Sequence, residues 1–263
     1  MNTLLDIMKR LRDPQNGCPW DCKQTFDSIF PYTLEEVHEV GDAIDRQDMG
    51  DLKNELGDLL FQIVFYAQMA QEQGAFNFQD IVDGISEKMM RRHPHVFGNK
   101  VYKNEVEQKA DWEAIKRQER ATETKSESEN DYFSDIAPRL TALQRGQKIL
   151  NRAGENGFDW KNWKPIINKV YEEVDEIIEA VEQGESQQRI EEEVGDLFIV
   201  VTNLARHLQV DSENAARKAV NKFARRYNRM MQLVQEAYPD CKLYSLEQME
   251  QGWEQVKREE KQG

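Results

Sequence analysis

The chain has 263 residues, with 49 Asp and Glu against 35 Lys and Arg, for a formal net charge of −14. That length holds one large domain or two of modest size, and 32% charged with 39% hydrophobic residues describes a helix-rich chain, not a sandwich or a disordered one. The acidic balance argues against a nucleic-acid binder, which needs a basic face, and no apolar run approaches the roughly 20 residues of a membrane helix. Phosphate ligands stay open, because a divalent cation can stand between carboxylate and phosphate. Three cysteines, Cys18, Cys22 and Cys241, are odd in number and fit neither a disulfide framework nor a four-ligand zinc site, so a reducing cytoplasm is the expected location.

In chain order, MNTLLDIMKRLRD reads as the start of a folded helix and turns polar too soon for a secretory signal. NGCPWD (16–21) follows, with Trp20 expected to pack. Pro31 is then expected in the first turn of an acidic helix, LEEVHEVGDAI at 34–44, where Thr33 and Glu36 have capping-box spacing. DRQDMGD, with Gly50, reads as a turn into NELGDLLFQIV (54–64), whose Leu56, Leu59, Leu60, Ile63 and Val64 keep a helical period. EKMMRR (87–92), His93-Pro94-His95 and DWEAIKRQE (111–119) complete the first half. Residues 119–135 lack hydrophobic periodicity, are rich in Glu, Ser and Thr, and read as a flexible acidic linker.

Beyond it the blocks recur in order: NGFDWK (156–161, with Trp160), YEEVDEIIEAV (171–181, after Pro165), EEVGDLFIVV (192–201, after Gly184), NKFARR (221–226) and GWEQVKREE (252–260). The chain therefore reads as a tandem duplication of an all-α, bundle-like domain, with copies at 1–118 and 136–263.

The chemistry lies in acids spaced i, i+3, which share a helical face. They are Glu36/Glu39 and Glu55/Asp58 in the first copy, and Glu173/Glu176 and Glu193/Asp196 in the second. A hairpin of the two helices can bring four carboxylates into one cluster, whose repulsion would either raise their pKa values or recruit cations. A di-iron bundle expects Glu-x-x-His on two helices, whereas the third-residue partners of the clustered acids here are Glu and Asp, and an all-oxygen donor set favours Mg2+ or Mn2+. Lys88/Arg92 and Lys222/Arg226 are i, i+4 pairs suited to phosphate oxygens, while Trp112 and Trp253, with Lys116 and Lys257, suit either base stacking or the core.

The doubled array Glu35-Glu36-Val-His-Glu39 … Glu55-x-x-Asp58 and Glu172-Glu173-Val-Asp-Glu176 … Glu193-x-x-Asp196, followed by K-x-x-x-R, resembles the MazG family of nucleoside triphosphate pyrophosphohydrolases. NGCPWD, RRHPHVF and DWEAIKRQER are also similar to its two-domain bacterial members. The resemblance implies an all-α fold, usually a homodimer, which binds Mg2+ and hydrolyses NTPs and dNTPs with broad base tolerance to the monophosphate and pyrophosphate. Glu173, Glu176, Glu193 and Asp196 would then hold metal, Lys222, Arg226, Trp253 and Lys257 substrate, and Glu172 would orient the water. Glu36, Glu39, Glu55 and Asp58, with Lys88 and Arg92, would form a second site.

The copies are not equivalent. Lys169 stands where the first copy has Tyr32, and Arg189 where it has Asp51, so both are expected to bind the anionic substrate, and the more basic second copy is expected to do most of the hydrolysis and the first to be weaker or structural. Two other readings remain: a nucleotide-sensing or interaction module with little turnover and a regulatory protein partner, and a pyrophosphohydrolase narrowed to one nucleotide such as dUTP or phosphoribosyl-ATP.

Overall fold

A computed structural model describes residues 2–123 and 131–262, and every regular element among them is helical. The chain divides into two compact units, Met1–Lys125 and Ser126–Gly263. The first contains α1 (Asn2–Leu11), α2 (Phe26–Arg46), α3 (Met49–Glu72), α4 (Phe78–Arg92), the short α5 (Pro94–Phe97) and α6 (Glu105–Glu123). The second contains α7 (Ala142–Glu155), α8 (Lys164–Glu182), α9 (Gln187–His207), α10 (Ser212–Ala237) and α11 (Leu246–Gln262).

Each unit is built on one long hairpin, α2–α3 or α8–α9. Helix α2 starts earlier than the proline suggests. Thr25 accepts from the Ser28 N–H while the Ser28 hydroxyl accepts from the Thr25 N–H, so the capping box sits eight residues before Thr33. Pro31 therefore lies inside α2, where it removes one ladder N–H, and only Pro165 takes a first-turn position, in α8. Thr33, mid-helix, instead meets the Tyr66 hydroxyl at 2.9 Å.

The tight turns have different chemistry. Gln47 adopts the left-handed region at φ 57 and Asp48 caps α3 through the N–H groups of Gly50 and Asp51. In the second unit Gly184 takes the left-handed position at φ 67 and Ser186 caps α9.

Met8, Ile29, Val64, Phe65 and Met69 form the core of the first unit. In the second, Met230, Val234 and Val256 close α10 on α11, and Ile166 is fully buried. The periodic stripe is only partly inside: Val64 is buried, but Leu56, Ile63, Phe198 and Val201 remain exposed.

The expected linker is also shorter at both ends. Helix α6 runs on to Glu123 because Glu119 faces back onto α4 and pairs with Arg91 and Arg92. At the other end Asp135 pairs with Arg152 at 2.8 Å and Ile136 is buried. Residues 124–130 lie outside the described residues.

Candidate metal centre

The α8–α9 hairpin brings the second acidic set together. Glu173 on α8 and Glu193 and Asp196 on α9 each place a carboxylate oxygen within 4.8 Å of the other two. Glu173 is 3% exposed and Glu193 1%, which is unusual for carboxylates, since charge leaves water only when it finds compensation. Glu176 faces the same group: burial first, then the charges of Glu193 and Glu173, push its carboxyl above the ordinary value.

Two cations partly answer this charge. Lys169 Nζ lies 2.7 Å from Glu173 and 2.8 Å from Glu172, and the two hydrogen bonds hold its ammonium above the usual lysine range. Arg189 pairs with Glu193 and reaches Glu185 and Glu192 at 3.6 Å. Compensation is incomplete, because buried Glu173 Oε2 accepts no hydrogen bond. Oxygen-only donors, close carboxylates and an orphaned buried oxygen fit a hard divalent cation such as Mg2+ or Mn2+.

The α2–α3 hairpin repeats the arrangement with Glu36, Glu55 and Asp58 within 4.8 Å of one another, but more openly, since Glu36 and Glu55 are half-buried and Asp58 is exposed. No cation stands at 32 or 51. Asp51 is instead drawn to Arg46, which also binds Asp42. Burial and like charges, from Asp58, Glu39 and Glu35, raise the Glu36 carboxyl, against a 3.4 Å hydrogen bond from Gln62. Burial, then Glu39 and Asp51, raises Glu55. Sequence reasoning passed over Gln62, although a polar residue inside LLFQIV is a legible signal; the matching position in the second copy is Val200.

The basic residues are engaged elsewhere. Arg92 binds Glu119 at 2.6 Å and Arg226 binds Glu260 at 2.6 Å, so in each unit the arginine expected to hold phosphate ties the fourth long helix to the last. Lys257 pairs with Glu254 on its own helix, Lys222 is exposed, and Lys88 is half-buried. Trp253 packs on the α10–α11 core and meets the Phe223 ring at 5.3 Å, whereas Trp112 is more open and carries Lys116 over its ring at 4.3 Å. Glu172 is exposed and held by Lys169. His93 and His95 spend one nitrogen each on the Met89 carbonyl and Gln108.

The two opening tryptophans do not pack as expected. Trp20 is 49% exposed, although its ring meets Tyr32 edge-on, and Trp160 is 43% exposed; polar groups anchor the loops that carry them. Arg12 donates to the Asp21 and Gln24 carbonyls in the first unit. In the second, Asp159 accepts from Arg206 at 2.5 Å and sits 2.8 Å from His207 Nε2, a lock between residues too far apart in the chain for any local pattern to signal.

Two stretches of the chain, residues 24–97 and 162–231, match the profile of the MazG nucleotide pyrophosphohydrolase domain. They contain both hairpins and both acidic groups. The chain is 51% identical over 261 residues to the nucleoside triphosphate pyrophosphohydrolase of Escherichia coli, covering 99% of this chain and 98% of that protein. It is 40% identical over 257 residues to the nucleoside triphosphate pyrophosphohydrolase/pyrophosphatase MazG of Thermotoga maritima, covering 97% and 94%. Two matched domains and two such relatives along nearly the whole length place this chain in the MazG nucleotide pyrophosphohydrolase family.

Proposed function

We propose that this chain is a nucleoside triphosphate pyrophosphohydrolase that depends on Mg2+, with Mn2+ as a substitute, and splits NTPs and dNTPs of any base into the monophosphate and pyrophosphate. The names of the relatives support the reaction. The observation that carries the choice of site is the buried pair Glu173 and Glu193, flanked by Lys169 and Arg189, with an oxygen of Glu173 left without a donor.

Glu173, Glu176, Glu193 and Asp196 hold the cation. A bound divalent cation there neutralises phosphate charge and makes a water more acidic. Lys169 and Arg189 exchange their glutamates for phosphate oxygens, which strengthens their contacts in a site with little water. Lys222, Arg226 and Lys257 take the β- and γ-phosphates, Arg226 and Lys257 by releasing Glu260 and Glu254, and half-buried Trp253 contacts the nucleotide. Water attacks the α-phosphorus, the bond to the α,β-bridging oxygen breaks, and pyrophosphate leaves. Glu172, exposed beside Glu173, orients that water.

The working unit is a homodimer in the cytoplasm. Val174, Ile178, Val181, Phe198 and Val201 leave an apolar strip exposed along α8 and α9, and a second copy covers it. Light scattering of the purified chain checks the dimer. The reaction is checked by incubating the chain with Mg2+ and a panel of NTPs, with pyrophosphate and orthophosphate measured separately. Pyrophosphate is expected first, and orthophosphate as the first product overturns attack at the α-phosphorus.

A further inference from the structure

His93-Pro94-His95 lies outside both acidic groups, and packing fixes both of its rings. His93 ends α4 and starts α5, with its carbonyl accepting from the N–H groups of Val96 and Phe97 at 2.9 and 3.0 Å. Pro94 stiffens the backbone between the two histidines. Their ring centroids stand 5.8 Å apart, and the His95 ring meets that of Tyr102 at 5.3 Å. Tyr102 is anchored in turn by its hydroxyl, which donates to Asp111 at 2.5 Å.

The nitrogens divide in the same way on both rings. His93 Nδ1 lies 2.8 Å from the Met89 carbonyl, so it carries the proton and donates, which leaves a lone pair on Nε2. His95 Nε2 lies 3.1 Å from the side-chain amide of Gln108 on α6, whereas His95 Nδ1 is buried with no hydrogen-bond partner. A buried ring nitrogen in that state is destabilising unless something else occupies it. With the Gln108 amide turned so that its oxygen accepts from Nε2–H, the lone pair of His95 falls on Nδ1. Each ring then commits one nitrogen to a carbonyl oxygen and leaves the other bare, the arrangement that orients histidine towards a metal ion. An ion about 2.1 Å from one nitrogen of each ring can bridge centroids up to about 6 Å apart, and 5.8 Å falls inside that reach.

The donor chemistry differs from that of the hairpins. Imidazole suits Zn2+, Ni2+ or Cu2+, while carboxylates suit Mg2+ and Mn2+. Neighbouring cations are already matched, Arg92 by Glu119 and Lys100 by Asp111. The second copy has Tyr227 and Arg229 at the corresponding places, so the pair belongs to the first copy.

We propose that His93 Nε2 and His95 Nδ1 bind a transition-metal dication of the Zn2+ class, with water completing its shell and Gln108 as the positioning residue for His95. The site is separate from the acidic groups and does not depend on the nucleotide reading. Through Gln108 it ties the end of α4 to α6.

Zn2+ binding to the full-length chain is measured by calorimetry in excess Mg2+, which keeps the carboxylates occupied. His93→Gln and His95→Gln are each expected to weaken it about 100-fold or more, as direct ligands, and Gln108→Leu about 10-fold, as an outer partner. His38→Gln, beside Glu36 and Glu39, should leave it unchanged. Electron paramagnetic resonance of the parent chain, loaded with less than one Cu2+ per chain, reads the ligands without any substitution, and coupling to two imidazole nitrogens is expected. Oxygen-only coupling would overturn the proposal. So would a parent chain that takes up no Zn2+, an affinity that survives loss of both histidines, or one that falls in His38→Gln.

Discussion

Positions 32 and 169, and 51 and 189, are where two otherwise parallel sites diverge. Lys169 and Arg189 put cations on the buried glutamates of the second copy, whereas Tyr32 and Asp51 put none on the first. Glu193→Gln is therefore expected to lower pyrophosphate release by about 100-fold or more, as loss of a direct ligand exceeds the usual loss from an outer partner, while Glu55→Gln keeps most of it. The opposite ranking in a steady-state assay would move the working site to the first copy. Lys169→Met removes the donor to Glu173, whose side chain is nearly buried while that of Lys169 is one-third exposed, so a cost of about 1–2 kcal/mol is expected. Thermal melting reads this as a drop of about 5 °C without divalent cation. Part of that drop should return when Mg2+ is added.

Helix packing makes its own demands. Gly252 lets α11 close on α10, since a Cβ there would stand 2.8 Å from Val234 Cγ2 and 3.1 Å from Met230 Cγ. Gly252→Ala is expected to destabilise the second unit by about 1–3 kcal/mol, measured by urea unfolding, even though alanine is the better helix former. The clamp between α4 and α6 depends on pH. Arg92 and Arg91 hold the Glu119 carboxyl below its ordinary value. A depressed folded value means that the clamp contributes fully above about pH 4.5 and is lost as pH falls through the folded value. Melting temperature should thus be steady from pH 7 to 5 and fall below that, and Glu119→Gln should start lower and fall less on the acid side. A parallel acid limb in the variant would remove Glu119 from the account.

At the scale of the whole molecule, duplication was the most legible property, because five blocks recur in order and each acidic pair keeps its i, i+3 spacing. All-α character was legible for the same reason, in the 3.6-residue period. Starts and ends were harder. Pro31 is compatible with a first turn, but Thr25 and Ser28 form a stronger cap further upstream. The partners of the cations were harder still: Arg92 and Arg226 look like phosphate binders until Glu119 and Glu260, distant in sequence, fold onto them. Asp159 with Arg206 and His207 is non-local in the same way, 47 and 48 residues apart. Each unit carries a core of its own, so a chain cut to residues 131–263 should fold and keep most pyrophosphate release, checked by circular dichroism and the same assay.

The asymmetry of charge has one more consequence, for the response of the protein to its ionic surroundings. The second copy carries counter-ions covalently, as Lys169 and Arg189, whereas the first has Tyr32 and Asp51 at those positions and, on the proposed reading, draws cations for Glu36, Glu55 and Asp58 from solution. Chelating divalent cations should therefore soften the first half well before the second, seen by hydrogen exchange as faster opening along α2 and α3 than along α8 and α9. One half of the chain is then ballasted against swings in cation supply, and the other registers them.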